Sequence, residues 1–393
     1  MKDKLTNKSI RESNQLNILN SIIKGKDILR NELASENNIS IMTVKKIIDD
    51  LIKYDIVVEQ VQNTSMGRKP KSLSISPRFG SVACINLTSK EYFSYHIFNI
   101  YGEIIEIRQF RIDDQYTYLE NIERLIAQLK NDLNKTGQLT VGIGLSVPSA
   151  YYEHLDIVNY DLIPAFKDLH LKKLFQEAFE VDNVMISHDV FTAAQAEYIF
   201  SIPRVNSLFY FYIGDGVGGA YIANGHLLSG ENLVAGEVGQ FIVSTEQGET
   251  TLESAVSIIT ILEEARIKFP EISFYNVLAL YENGDEFITS IINRKLTLIN
   301  QCLYNISWVL NPSKIVVDSS YKKYADIIAA SINTFNERLK QLPILNSVIA
   351  SASELNEHNS MQGCFDLTID RWIRALSILG ADESETPLER SKR

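Results

Sequence analysis

Two groups of residues in this chain stand out for what they could bind. Asp189 follows a short apolar run, Val184 to Ile186, in the order Ser187-His188-Asp189, and a helical pattern runs on from Val190 to Ile199. An acid at the carboxyl end of a strand can take a hydroxyl proton or simply bind one. It would also serve as an N-cap. Glu237 lies between glycines in Gly236-Glu237-Val238-Gly239-Gln240, where the core has no use for a carboxylate. Upstream, the run GDGVGG at 214–219 lets a backbone approach a ligand closely, although a tight hairpin would use the same residues. The second group is basic. Arg68 and Lys69 stand with Lys71 around Pro70, the composition of a turn tip that reaches a phosphate backbone or a minor groove.

The elements that would position the basic group are legible. Ser40 stands as an N-cap before Val44, Ile47, Ile48, Leu51 and Ile52, the one-face spacing of a 3.6-residue helix. Its first turns carry Thr43, Lys45 and Lys46, which the buried stripe does not need. Lys45 with Asp49 could be an ordinary i,i+4 pair. Helices are expected before it at 9–23 and 28–35, and strands after it at 56–61 and 72–75. Three helices and a hairpin match a winged helix-turn-helix, with one helix for a major groove and a wing beyond it. Ser40, Thr43, Lys45, Lys46, Arg68 and Lys69 are the candidate DNA contacts.

Charge agrees with this division. The chain of 393 residues has a formal net charge of −11, which argues against a protein that coats nucleic acid. Residues 1–80, however, hold 14 Lys/Arg against 9 Asp/Glu, a basic head on an acidic body. No apolar run is long enough for a membrane span. The three cysteines, Cys84, Cys302 and Cys364, suggest neither a disulfide framework nor a metal site. A cytoplasmic protein without a cofactor is expected.

After Pro77-Arg78-Phe79-Gly80, read as a hinge, three strands (81–87, 92–98, 103–111), an amphipathic helix from Leu119 to Leu133 and a strand at 139–146 follow. This is the opening of a ribonuclease-H-like half. Strands at 207–213, 219–223, 240–243 and 314–318, with helices at 253–267, 285–310 and 321–340, repeat the grammar. The fold class is therefore α/β: a winged helix-turn-helix over 1–78, a two-lobed actin-like, sugar-kinase-type body over 79–380 with a ligand cleft between its halves, and a polar tail over 381–393 expected to be disordered.

With GRKP at 67–70, HDVFTAAQAE at 188–197, GDGVGG at 214–219, NGHLLSG at 224–230, AGEVGQ at 235–240 and LNPSKIVVDSS at 310–320, the chain resembles the ROK family over nearly its whole length. The likeness is to its regulator branch, of the xylose-repressor and N-acetylglucosamine-repressor type. The resemblance implies a winged head on an actin-like body in dimers or tetramers, an inverted-repeat DNA operator, and a sugar-like ligand. It places His188, Asp189, Glu237, Gln240 and Glu253 around the sugar hydroxyls, and the three carboxylates among them suit hydroxyl donors.

The departures are specific. ROK kinases open the body with an Asp-x-Gly-Gly-Thr phosphate loop, but here the first strand ends Asn86-Leu87-Thr88-Ser89-Lys90, and Asp215 puts negative charge where a phosphate would approach. Asp189 does match the position of the family's general base. Members with structural zinc use a His at the position of Gln240 and a cysteine cluster where this chain reads Ser244 to Glu253 without one. No metal is expected. A ligand-controlled repressor uses every feature. A sugar kinase with an appended head, or a DNA-binding protein whose body only oligomerises or binds a protein partner, is the alternative.

Overall fold

A computed structural model describes residues 7–25, 27–61, 71–77, 79–159, 164–231, 233–338 and 348–379; Arg68, Lys69 and the segment 381–393 lie outside them. The chain divides into two compact units, residues 1–188 with 364–393, and residues 189–363.

The first unit opens with α1 (Asn7–Gly25), β1 (Ile28–Leu29), α2 (Arg30–Glu36), α3 (Ile41–Lys53), β2 (Val57–Val61) and β3 (Lys71–Ile75). The three strands form one antiparallel sheet in the order β1-β3-β2. Ile28 and Leu29, expected within a helix, instead pair with Leu73 and Ser72. The helix begins two residues later, at Arg30, where Glu32 turns back and accepts from the Leu29 amide at 2.8 Å, which satisfies a donor left orphaned at the helix start. α3 holds the small core together by burying Val44, Ile47, Ile48 and Leu51.

Phe79 and Gly80, read as part of a hinge, open β4 (Phe79–Asn86). Phe79 packs edge-on against Trp372 at 5.5 Å, and the Tyr101 hydroxyl accepts from the Ile75 amide at 3.2 Å. β5 (Tyr92–Asn99) pairs antiparallel with β4, and β6 (Ile104–Arg111) antiparallel with β5. α4 (Tyr118–Thr136) then leads to β7 (Leu139–Val147), which lies parallel to β4. A reciprocal Thr117/Glu120 cap starts α4, and Gly137 at φ 65° ends it. β8 (Tyr151–Tyr152) and β9 (Ile157–Val158) make a small ladder, and α5 (Leu171–Phe179) returns the chain to β10 (Val184–His188), parallel to β7. β4, at the centre of the order β10-β7-β4-β5-β6, is buried along its whole length, as a strand covered on both faces must be.

The second unit repeats this plan. α6 (Asp189–Phe200) is followed by β11 (Ser207–Ile213), β12 (Val217–Ala223) and β13 (His226–Leu228), antiparallel in sequence. β14 (Ile242–Thr245) and β15 (Gly248–Thr251) form a separate hairpin. α7 (Leu252–Val256), α8 (Ile258–Arg266), α9 (Phe274–Glu282) and α10 (Glu286–Leu310) precede β16 (Lys314–Ser319), which lies parallel to β11. α11 (Lys322–Arg338) leads to β17 (Ile349–Ala352), parallel to β16. The sheet order is β13-β12-β11-β16-β17. The single helix expected at 253–267 is two, because Ser257 takes an extended ψ of 156° and caps α8 by accepting from Thr260. The C-terminal helix α12 (Glu357–Leu379), absent from the sequence reading, packs Phe365 against Phe98 at 5.1 Å.

Candidate functional site

The first candidate surface is the start of α3. Ser40 accepts from the Thr43 amide at 3.1 Å, and the two hydroxyls lie 2.8 Å apart. The pair therefore fixes the first turn before anything binds. Lys45 and Lys46 are exposed and have no side-chain partner among the described residues. Asp49, the carboxylate that could have paired with Lys45, is instead engaged by Arg30 at 3.1 Å. Arg30 also reaches Glu59 at 2.7 Å, and Lys71 reaches the same carboxylate at 2.8 Å. The hydrogen bonds from Lys71 and then Arg30 hold the Glu59 carboxyl below its ordinary range. The internal acids are thus neutralised from behind. Two apolar residues were missed in the sequence: Ile41 is 48% and Met42 70% exposed, at the same helix end. Their only signal was position, ahead of the buried stripe.

The second candidate site assembles in the second unit from four segments. Asp189 opens α6 and accepts from the Val190 amide at 2.7 Å; it is a helix-start carboxylate as well as a candidate ligand group. The glycine run forms the β11–β12 hairpin, with the Gly214 amide donating to the Gly216 carbonyl at 2.8 Å. A Cβ on Gly218 would sit 3.2 Å from Val190 Cγ2. Across the hairpin lies the segment with Glu237. Gly236 has φ 96°, and a Cβ there would be 2.3 Å from the Gly219 carbonyl oxygen. A Cβ on Gly239 would be 2.2 Å from the Val217 carbonyl oxygen. These glycines are needed for backbone-to-backbone contact between the hairpin and the Glu237 turn. Glu253, on α7, closes the group by accepting from the Val217 amide at 2.9 Å.

Asp189, Glu237 and Glu253 are thus brought onto one frame, half-buried, with Gln240 exposed beside them. Gln240 lies not in a strand, as expected, but at the end of a 3₁₀ turn, Val238–Gln240, where its amide donates to the Glu237 carbonyl at 3.1 Å. That turn puts both side chains at one bend. His188 ends β10 in the first unit, opposite Val147 in the register.

Two residues of this neighbourhood were not anticipated. The Tyr212 hydroxyl meets Ser320 at 3.1 Å. Burial, with the Asp189, Asp318 and Asp215 carboxylates behind it and Ser320 acting the other way, pushes Tyr212 up to about 12. Asp318 accepts from the Tyr210 hydroxyl at 2.5 Å, and burial raises its own carboxyl above the usual range. The signal was LNPSKIVVDSS, an acid at the carboxyl end of a strand.

Two further segments bear on the chemistry. At the end of β4, Asn86 accepts from the Thr88 amide at 2.9 Å, and Ser89 accepts from the Glu91 amide at 3.1 Å. This turn is closed by its own side chains. The hairpin of β14 and β15 is ordered by backbone pairing from Ile242–Thr251 to Thr245–Gly248, and by Thr245 donating to the Gly248 carbonyl at 2.9 Å. No group of three His, Cys, Asp or Glu side chains among the described residues could hold a metal ion, so the donor set does not fit zinc.

Residues 84–371 match the ROK family. The chain belongs to the ROK family. The xylose repressor of Bacillus spizizenii is 23% identical over 381 residues, covering 93% of this chain and 97% of its own. A ROK family transcriptional regulator, described as a homologue of the E. coli MLC protein, superposes with a TM-score of 0.75 at 20% identity, covering 94% of this chain and 98% of its own. The ROK hexokinase of Thermus thermophilus gives a TM-score of 0.62 at 17% identity, with 97% of its chain matched to only 73% of this one. The α/β body therefore has the ROK sugar-kinase-like fold. No helix among the described residues is long and apolar enough to cross a membrane.

Proposed function

We propose that this ROK protein is a sequence-specific DNA-binding transcriptional repressor of carbohydrate-utilisation genes, relieved by a sugar or sugar derivative. The observation that carries it is the start of α3: a capped helix whose cations stand without partners among the described residues while its acids are paired behind it. In this reading residues 1–78 are a winged helix-turn-helix. Thr43, Lys45 and Lys46 face the major groove, with Ser40 at the helix end nearest the phosphates. Ile41 and Met42 offer apolar contact to thymine methyl groups. Arg68 and Lys69 supply the wing, Arg68 entering a narrow minor groove. An inverted-repeat operator requires two heads, so the working form is a homodimer or a larger even assembly, in the cytoplasm.

Asp189, Glu237, Gln240 and Glu253, with His188, bind the sugar; residues 79–380 serve ligand binding and assembly. Xylose is the first candidate, from the name of the B. spizizenii relative. The protein is not an enzyme in this reading, since the turn after β4 has neither the glycines nor the acid of a phosphate loop, and Asp215 is exposed at the glycine hairpin. The test is selection of a duplex by the full chain from random sequence, followed by titration of Lys46→Ala. The variant is expected to lose roughly 1–3 kcal/mol if Lys46 reads a base. Failure of the wild-type chain to enrich any duplex, or enrichment of the same duplex by a chain lacking residues 1–78, contradicts the reading.

A further inference from the structure

The second unit carries a groove of about 950 Å³, lined by none of the residues assigned to the sugar. Its walls are the β14–β15 hairpin, α7 and α8, and its floor is α10. On that floor Lys295, only 7% exposed, places its ammonium on Glu264. Arg294 reaches the other oxygen of Glu264 at 2.7 Å and donates to Ser290 at 2.8 Å. Two cations therefore share one carboxylate on the floor, although the whole lining sets three carboxylates, Glu246, Glu249 and Glu264, against them. An ammonium has three donors, and among the described residues only Glu264 accepts from Lys295. Lys295 lines the groove, so its remaining donors are open to what enters there. Above the floor, Thr245, Gln247, Thr250 and Ser254 line the walls with hydroxyls and an amide, Thr297 adds a hydroxyl from the floor, and Glu246 and Glu249 stand exposed at the rim.

We propose that this groove is a second small-molecule site, for a polyhydroxylated ligand carrying one anionic group, held by Lys295 and Arg294. A sugar phosphate and a sugar acid share that chemistry. The wall residues match the hydroxyls, and the floor matches the anion. The assignment stands on this groove alone and does not depend on the sugar reading of Asp189 and Glu237. The two sites are joined by α7, whose Glu253 accepts from the Val217 amide while the adjacent Ser254 lines the groove. An anion that shifts α7 thereby shifts a carboxylate of the first site.

Calorimetric titration of the full chain with glucose 6-phosphate, gluconate, glucose and inorganic phosphate tests it. Glucose 6-phosphate or gluconate is expected to bind saturably and more tightly than inorganic phosphate, and the better of the two identifies the source of the anion. Arg294→Gln should weaken that binding about tenfold, the loss of one charge-assisted hydrogen bond, while Glu237→Ala leaves it unchanged. Lys295→Met should weaken it further, but Lys295 is buried, so the decision rests on Arg294, at an exposed position. Absence of saturable binding by either anion, equal binding of inorganic phosphate, wild-type affinity in Arg294→Gln, or loss of binding in Glu237→Ala would each overturn the proposal.

Discussion

Lys46 and Glu237 are the residues on which the account turns, and each can be questioned alone. If Lys46 neutralises a phosphate instead of reading a base, Lys46→Ala should weaken binding to all duplexes alike and reduce the slope of log affinity against log salt by about one. If it reads a base, the loss should fall on one operator position, with the salt slope little changed. Binding to DNA at several salt concentrations separates the two, and no change in either quantity removes Lys46 from the interface. The carboxylates Asp189 and Glu237 were legible in the sequence because each sits in a local pattern, a strand end and a pair of glycines, whereas Glu253 came only through the family resemblance. Tyr212 was not, and Asp318, though it too lies at the end of a strand, was not singled out. Their proximity comes from the parallel register that sets Tyr212 opposite Asp318, a pairing between residues about a hundred positions apart that no local pattern encodes.

At the scale of elements, the glycine-mediated contact between the β11–β12 hairpin and the Glu237 turn is the most exposed to a single change. Gly236→Ala forces an L side chain into φ 96° and against the Gly219 carbonyl. It should cost about 1–3 kcal/mol of stability, read by urea unfolding, together with loss of sugar binding; wild-type stability would mean that the turn is not held as described. Glu153 provides a pH test. Its hydrogen bonds with Lys172, and then with Arg371 on α12, lower its carboxyl from 4.5 to about 2 despite partial burial. A lowered native pKa gives stability that is fully present above 4.5 and is lost as pH falls toward 2. The stability difference between wild type and Glu153→Gln should therefore be constant near neutral pH, shrink below 4.5 and vanish near 2. A difference that grows with acid would contradict the assignment. The turn after β4 and the β14–β15 hairpin predict substoichiometric zinc by metal analysis and no transfer of phosphate from ATP to a sugar. One zinc per chain, or turnover abolished by Asp189→Asn, would reverse both. Strong periodicity made α3, α4 and α10 readable. The split at Ser257 was not, because a serine within a helical pattern can face solvent or cap a new helix, and only the packing of α7 on the glycine hairpin decides between them. The apolar stripe of α12, Met361, Cys364, Phe365, Ile369, Trp372 and Ile373, had helical spacing and was overlooked.

For the whole molecule, the basic first 80 residues and acidic remainder allow the head to approach a duplex while the body does not coat it. Control then requires that the sugar and the operator prefer different states of the protein. By linkage, each weakens the other by the same factor. The decisive measurement is operator affinity, by fluorescence anisotropy, of wild type and Glu237→Ala across a titration of monosaccharides that begins with xylose. Wild type is predicted to lose affinity by the equivalent of about 1–3 kcal/mol at saturating sugar, while Glu237→Ala binds the operator normally and does not respond. If both proteins respond alike, or if wild type responds to none of the sugars, the carboxylate cluster is not the control site.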